Sequence, residues 1–171
     1  KVRIHNRLIK LFLFFSIFII LSCDQKIEKK QTDQKINILV FSSLTCPHCA
    51  NFHKKVIVKM LEDESINDIV NFVHKGFPLD LAALNAEKIL YCSKNQENRF
   101  ELLTKIYDEQ KNWASRGDIN VINESLMSIS AKFGLDKDSA RKCLKSEDLE
   151  DTILQKVVEA QKNYKIRSTP T

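Results

Sequence analysis

Apolar positions along this chain follow three patterns. Leu11 to Leu21 is an apolar run broken only by Ser16. Ile36-Asn37-Ile38-Leu39-Val40-Phe41 is shorter, rich in β-branched and aromatic side chains, and predicts a buried strand of a parallel or mixed sheet. Asp68 to Gly76 predicts a second strand, with His74 near its end. Between the two, Cys49, Phe52, Val56 and Met60 recur at helical spacing. That spacing predicts an amphipathic helix with Thr45 as N-cap and Cys46, Pro47 and His48 in its first turn.

From Asp80 onward helical periodicity takes over. Phe100, Leu103, Ile106 or Tyr107, and Trp113 mark one stripe; Ile122, Leu126, Ile129 and Phe133 mark another, ended by Gly134. Leu149, Ile153, Val157, Ala160 and Tyr164 mark a long last helix, with Ser146 as cap and Glu147 and Asp148 in the first turn. Such stripes form cores; Trp113 has a second possible place, in a peptide groove.

The first apolar run is a different object. Lys1, Arg3, Arg7 and Lys10 precede it without an acid, and its 11 residues are too few to span a bilayer but match a signal-peptide core. Ile20-Leu21-Ser22-Cys23 closes it and resembles a bacterial lipobox, which implies lipidation of Cys23; plain cleavage or an uncleaved anchor is the alternative. Either route delivers residues 24 onward outside the cytoplasm, to the periplasm or cell envelope, as an expectedly membrane-anchored protein in an oxidising space. Residues 24–34 read as a solvated tether. The formal charge is 27 − 22 = +5, but the four basic residues of the leader account for most of it, leaving 23 − 22 = +1. That balance gives no electrostatic footprint for nucleic acid.

The chemistry concentrates in Cys46-Pro47-His48-Cys49. Two thiols three residues apart at a helix start can close into a disulfide and donate it. The orphan N–H groups and the dipole there stabilise a thiolate on Cys46, with His48 as a further source of positive charge. Cys49 begins the inward stripe and is sheltered, whereas Cys46 is expected at the exposed tip. A zinc site from Cys46, Cys49 and His53 is the main rival, but it lacks a fourth ligand at a recognised spacing, so no metal is expected. Haem attachment fails because Ala50, not histidine, follows Cys49. An inert structural disulfide in so short a loop would constrain little.

Ser43 to Cys49 resembles the active site of the DsbA family of thioredoxin-fold disulfide oxidoreductases, whose own dipeptide between the cysteines is Pro-His. Phe77-Pro78-Leu79-Asp80 resembles the family segment that leaves the sheet for a helical insertion. The resemblance implies an α/β, thioredoxin-like fold with an inserted helical domain: residues 35–78 and 147–171 form its two parts and 79–146 the insert. Thr169-Pro170-Thr171 resembles the family's cis-proline loop, which makes Thr169 and Pro170 substrate-contact residues; Arg167 and Ser168 stand where a glycine is common. The family fold continues with two more strands and a helix, so the sequence is expected to be a C-terminally incomplete piece.

The implied activity is an extracytoplasmic thiol:disulfide oxidoreductase needing no cofactor. It would pass the Cys46–Cys49 disulfide to reduced or misfolded secreted proteins through a mixed disulfide on Cys46. A membrane quinone-linked partner of the DsbB type would re-oxidise it. Alternatives are an isomerase or reductase, or a lipid-anchored metal-binding protein. Cys92 and Cys143 remain, and in an oxidising space the even remainder suggests a structural disulfide; two buried free thiols are the alternative.

Overall fold

Strands β1 (Ile36–Ser42) and β2 (Val70–Gly76) run parallel, Ile36 opposite Val70 and Ser42 opposite Gly76. The computed structural model describes residues 35–171 apart from Lys94 and Arg116. The leader, Cys23 and the tether lie outside the described residues. β1 grades from exposed at Ile36 to buried over Val40–Ser42, so its C-terminal end is anchored in the core. Parallel strands need a crossover. Here it is α1 (Pro47–Phe52), a π turn (His53–Ile57), α2 (Val58–Glu62) and α3 (Glu64–Asn67).

Two details of this crossover depart from the periodic reading. The N-cap is Cys46, at φ −77° and ψ 119°, and not Thr45; Pro47 occupies the first helical position. Proline excludes its predecessor from helical backbone angles while itself fitting the first turn, so the helix boundary falls between Cys46 and Pro47. The buried stripe is Cys49, His53 and Ile57, whereas Val56 is 44% exposed. The π turn adds a residue to one turn of the helix and rotates all that follows.

After β2 the chain forms α4 (Leu81–Tyr91), α5 (Gln96–Asp108), α6 (Gln110–Trp113), α7 (Ile119–Ala131) and α8 (Lys137–Leu144), then the long α9 (Glu147–Tyr164). Side chains of Asp80, Asn95, Asp118, Asp136 and Ser146 cap the N-termini of α4, α5, α7, α8 and α9. Leu102, Leu103, Ile106, Leu126 and Trp113 fill the core that also receives Leu44, Cys46 and Cys49. Trp113 is a core side chain: its ring is buried and its indole N–H donates to the Ile106 carbonyl at 2.8 Å. Cys92 and Cys143 are joined (S–S 2.05 Å), tying the end of α4 to α8. Lys88 reinforces the same region, donating to Glu150 of α9 at 2.5 Å.

α9 ends at Lys165 in the left-handed region (φ 57°), and Ile166 then buries itself against Phe41, Phe77 and Ala160. The Thr169–Pro170 peptide is cis. Thr171 exchanges two backbone hydrogen bonds with Phe41, at 2.9 and 3.0 Å, which brings the proline loop beside the end of β1. Among the described residues no helix is long and apolar enough to cross a membrane.

Candidate active site

The buried end of β1 fixes where Ser43, Leu44 and Thr45 can go. The Cys46 N–H donates back to Ser43 O (3.1 Å), making a turn that delivers Cys46 to the head of α1. Cys46 and Cys49 are both free thiols, so the site is in its dithiol form. Cys49 is 1% exposed and Cys46 only 9%, which makes Cys46 less open than an exposed helix tip would be. The cause is the cis-proline loop: the Cys46 thiol donates to the Thr169 carbonyl at 3.7 Å. Pro47 and His48 are the exposed members of the motif.

The two sulfurs are electrostatically unequal. Burial pushes up the pKa of Cys46, but the N–H groups of Cys49 and His48 and the side chains of Thr169 and Cys49 outweigh it, and the net shift is downward. Cys49 is pushed up to about 11, first by burial and then by the neighbouring Cys46, against the lowering effects of Thr169 and the Ser43 backbone. The Thr169 hydroxyl is buried, lacks a hydrogen-bond partner among the described residues, and sits close enough to influence both thiols. One acidic thiol beside one reluctant thiol is the pairing disulfide exchange needs: the first leaves and accepts easily, the second holds its proton.

His53 does not join the cysteines. Thr104 Oγ1 donates its proton to Phe100 O at 3.0 Å, so it can only accept from His53 Nε2–H at 2.8 Å, and this fixes the tautomer. The rings of Phe72, Phe100 and Tyr107 pack around the imidazole. Burial holds its pKa down at about 4, with His74 adding repulsion. No group of three or more His, Cys, Asp or Glu side chains is placed to hold a metal ion among the described residues.

Several residues around the site carry no local sequence signal. His74, read as a strand-end residue, bonds Glu87 Oε1 through Nε2 at 2.7 Å and faces Ser42 Oγ through Nδ1 at 3.1 Å. Glu87 is fully buried, and its second oxygen has no partner among the described residues. The available clue was α4 itself. Asn85, Glu87 and Lys88 sit among alanines and leucines with no polar face to share, so each needs a partner inside the protein. Thr45 Oγ1 donates to Asp80 Oδ2 at 2.7 Å, and buried Gln110 donates to the carbonyls of Leu44 and Cys46. A groove of about 880 Å³ runs along β2, lined by Phe72, His74, Glu87, Phe100 and Tyr164 among others, but not by Cys46, Cys49 or Thr169.

Residues 31–171 match the family profile described as Thioredoxin. A Rickettsia bellii (strain RML369-C) protein, provisionally named a protein-disulfide oxidoreductase, is 26% identical over 140 residues, covering 81% of this chain and 52% of that protein. A Rickettsia typhi (strain ATCC VR-144 / Wilmington) protein of the same provisional name is 23% identical over 141 residues, covering 81% and 51%. This chain thus spans about half the length of the curated relatives it matches. Among solved structures, Wolbachia pipientis alpha-DsbA1 superposes with a TM-score of 0.70 at 26% identity, over 80% of this chain and 67% of that one. A protein-disulfide isomerase from Novosphingobium aromaticivorans, at 20% identity and TM-score 0.68, shares the fold over 80% of this chain and 79% of its own.

Proposed function

The chain belongs to the thioredoxin family, in its DsbA-like branch, and from that premise we propose that the protein transfers disulfides to other proteins outside the cytoplasm. What carries this reading is a pair of free thiols at the head of α1, with the Cys46 sulfur donating to the carbonyl that precedes the cis proline, Cys46 held below and Cys49 above the ordinary cysteine range.

In the oxidised enzyme a substrate thiolate attacks Cys46 Sγ. The Cys46–Cys49 bond breaks, and Cys49 leaves with the electron pair and takes up a proton. The substrate's second thiol, once deprotonated, attacks the substrate sulfur of the mixed disulfide and expels Cys46 as a thiolate. The substrate loses two electrons and gains a disulfide; the enzyme holds them as one thiolate and one thiol. Stabilising the Cys46 thiolate stabilises the reduced enzyme, which makes its disulfide a strong oxidant. Pro47 starts the helix whose N–H groups face the sulfur, and exposed His48 stands where an incoming chain must pass. Thr169 offers its backbone beside the cis proline to an extended substrate segment. The substrates are reduced or misfolded secreted proteins, and re-oxidation falls to a membrane quinone-linked partner of the DsbB type. Cys23 and the leader hold the protein at the membrane outside the cytoplasm, and Cys92–Cys143 is a structural bridge.

The test is catalysed oxidation of a reduced, unfolded protein that needs its disulfides to regain activity. The oxidised enzyme should restore that activity far faster than air. Cys46→Ser should abolish the gain, and Cys49→Ser should accumulate mixed disulfides that survive gel electrophoresis without reductant. Wild-type protein that reduces the substrate's native disulfides, and never forms them, would overturn the oxidase reading.

A further inference from the structure

Gln110 opens α6 in the helical insert and is 6% exposed. Its Nε2 lies 2.8 Å from Leu44 O and 3.0 Å from Cys46 O, more than 60 residues away in sequence. An amide NH2 carries two hydrogens, enough to serve both carbonyls at once. These carbonyls bracket the turn that presents the cysteine. Cys46 O also receives the first helical bond, from Ala50 N–H at 3.1 Å, so Gln110 grips the point where turn becomes helix.

We propose that Gln110 is a positioning residue that reaches from the insert to lock Cys46 in its extended capping geometry, keeping the sulfur in front of the His48 and Cys49 N–H groups. The inference rests on the disulfide-exchange reading above. Elsewhere in this protein the N-cap side chain usually accepts from the helix backbone and so holds the boundary itself, as Asp80 and Ser146 do. Cys46 makes no such side-chain cap bond, because its thiol is directed to Thr169. The nucleophile therefore sits at a cap position it does not secure, and the restraint has to come from outside. Two other links join the insert's entry to this turn: Thr45 to Asp80, and Leu79 N–H to Ser43 Oγ at 3.4 Å. Both are less buried and neither touches Cys46. Removing Gln110's donors would leave the Leu44 carbonyl without this bond in a buried place and Cys46 O with the helical bond from Ala50 alone, and the turn would relax to compensate.

Gln110→Met keeps the length of the side chain and removes both donors. Followed by thiolate absorbance against pH, it should raise the Cys46 pKa by about one unit and shift the glutathione equilibrium roughly tenfold toward the enzyme disulfide. Trp113→Phe, on the same short helix, loses the indole bond to Ile106 and serves as the control. It should cost stability and leave the Cys46 pKa where it was. Equal shifts in both variants, or none in Gln110→Met, would overturn the assignment. If Gln110→Met does not fold, the wild-type side-chain NH2 of Gln110 decides by proton exchange in NMR: slow exchange supports the lock, exchange at the solvent rate refutes it. An ordinary Cys46 pKa in the wild type would defeat the functional reading itself. A low one, unmoved by Gln110→Met, would defeat only the role of Gln110.

Discussion

His53→Gln probes how the core beneath the catalytic helix is held, and its effect follows from one group. The imidazole is 3% exposed, donates through Nε2 to Thr104, and lies among Phe72, Phe100 and Tyr107. Its folded pKa is held at about 4, against 6.5 for an ordinary histidine. Burial is the main cause; His74 and Lys54 add repulsion and Asp108 opposes them. Between those two values the unfolded chain binds the proton and the folded chain does not, so stability rises with pH across that window. Read downward, the contribution is complete above pH 6.5 and disappears as the pH falls toward 4. Two and a half pH units correspond to about 3 kcal/mol, a large fraction of the 5–15 kcal/mol typical of a domain. Asp63 and Asp136, each lowered from 3.8 by bonds to nearby Ser65 and Ser139, titrate below this window and do not obscure it. Glutamine can still donate to Thr104 but cannot titrate. Urea unfolding at pH 7 and at pH 4.5 should therefore show the wild type losing roughly 2–3 kcal/mol more than His53→Gln. Parallel losses in the two proteins would show that His53 is protonated within the fold, and the packing argument would fail.

Gly76→Ala places a Cβ 2.5 Å from Glu87 Cδ and 2.6 Å from its Oε2, in a carboxylate already held by His74. The pair must shift, and overpacking of this kind costs about 1–3 kcal/mol, readable as a lower urea midpoint. An unchanged midpoint would mean Glu87 is free to move. Replacing Cys92 and Cys143 with alanine opens a crosslink between residues 51 apart, for which the chain-entropy model gives about 4 kcal/mol of lost stability. The same variant should leave the Cys46 thiolate titration in place; a loss of thiolate with no loss of stability would contradict a purely structural bridge.

The strands and the long helices are legible because their side chains obey one period. Val40 and Phe41 meet the core as the apolar run requires, and Ser146 caps α9 by a rule three residues long. Cys46, Cys49, Thr169 and Pro170 are legible as a motif, and the fold brings the first three into contact. The helix starts one residue later than the capping preference of Thr45 indicates, because the backbone restriction that Pro47 imposes on Cys46 overrides that preference. Val56 falls outside the buried stripe because a π turn cannot be read from a 3.6-residue period. Gln110, Glu87 and Asp80 stayed hidden for another reason: their partners, Leu44, His74 and Thr45, are supplied by tertiary contact, and no spacing rule reaches that far.

The most direct measurement is a glutathione redox titration of the Cys46–Cys49 pair, run beside the ultraviolet absorbance of the Cys46 thiolate as pH is lowered. A Cys46 sulfur that ionises at lower pH than an ordinary cysteine thiol, with an equilibrium that favours the dithiol at modest glutathione, is the expected result. A Cys46 that ionises no more readily than a free cysteine, or a disulfide that resists excess glutathione as a buried structural bridge does, would contradict the account.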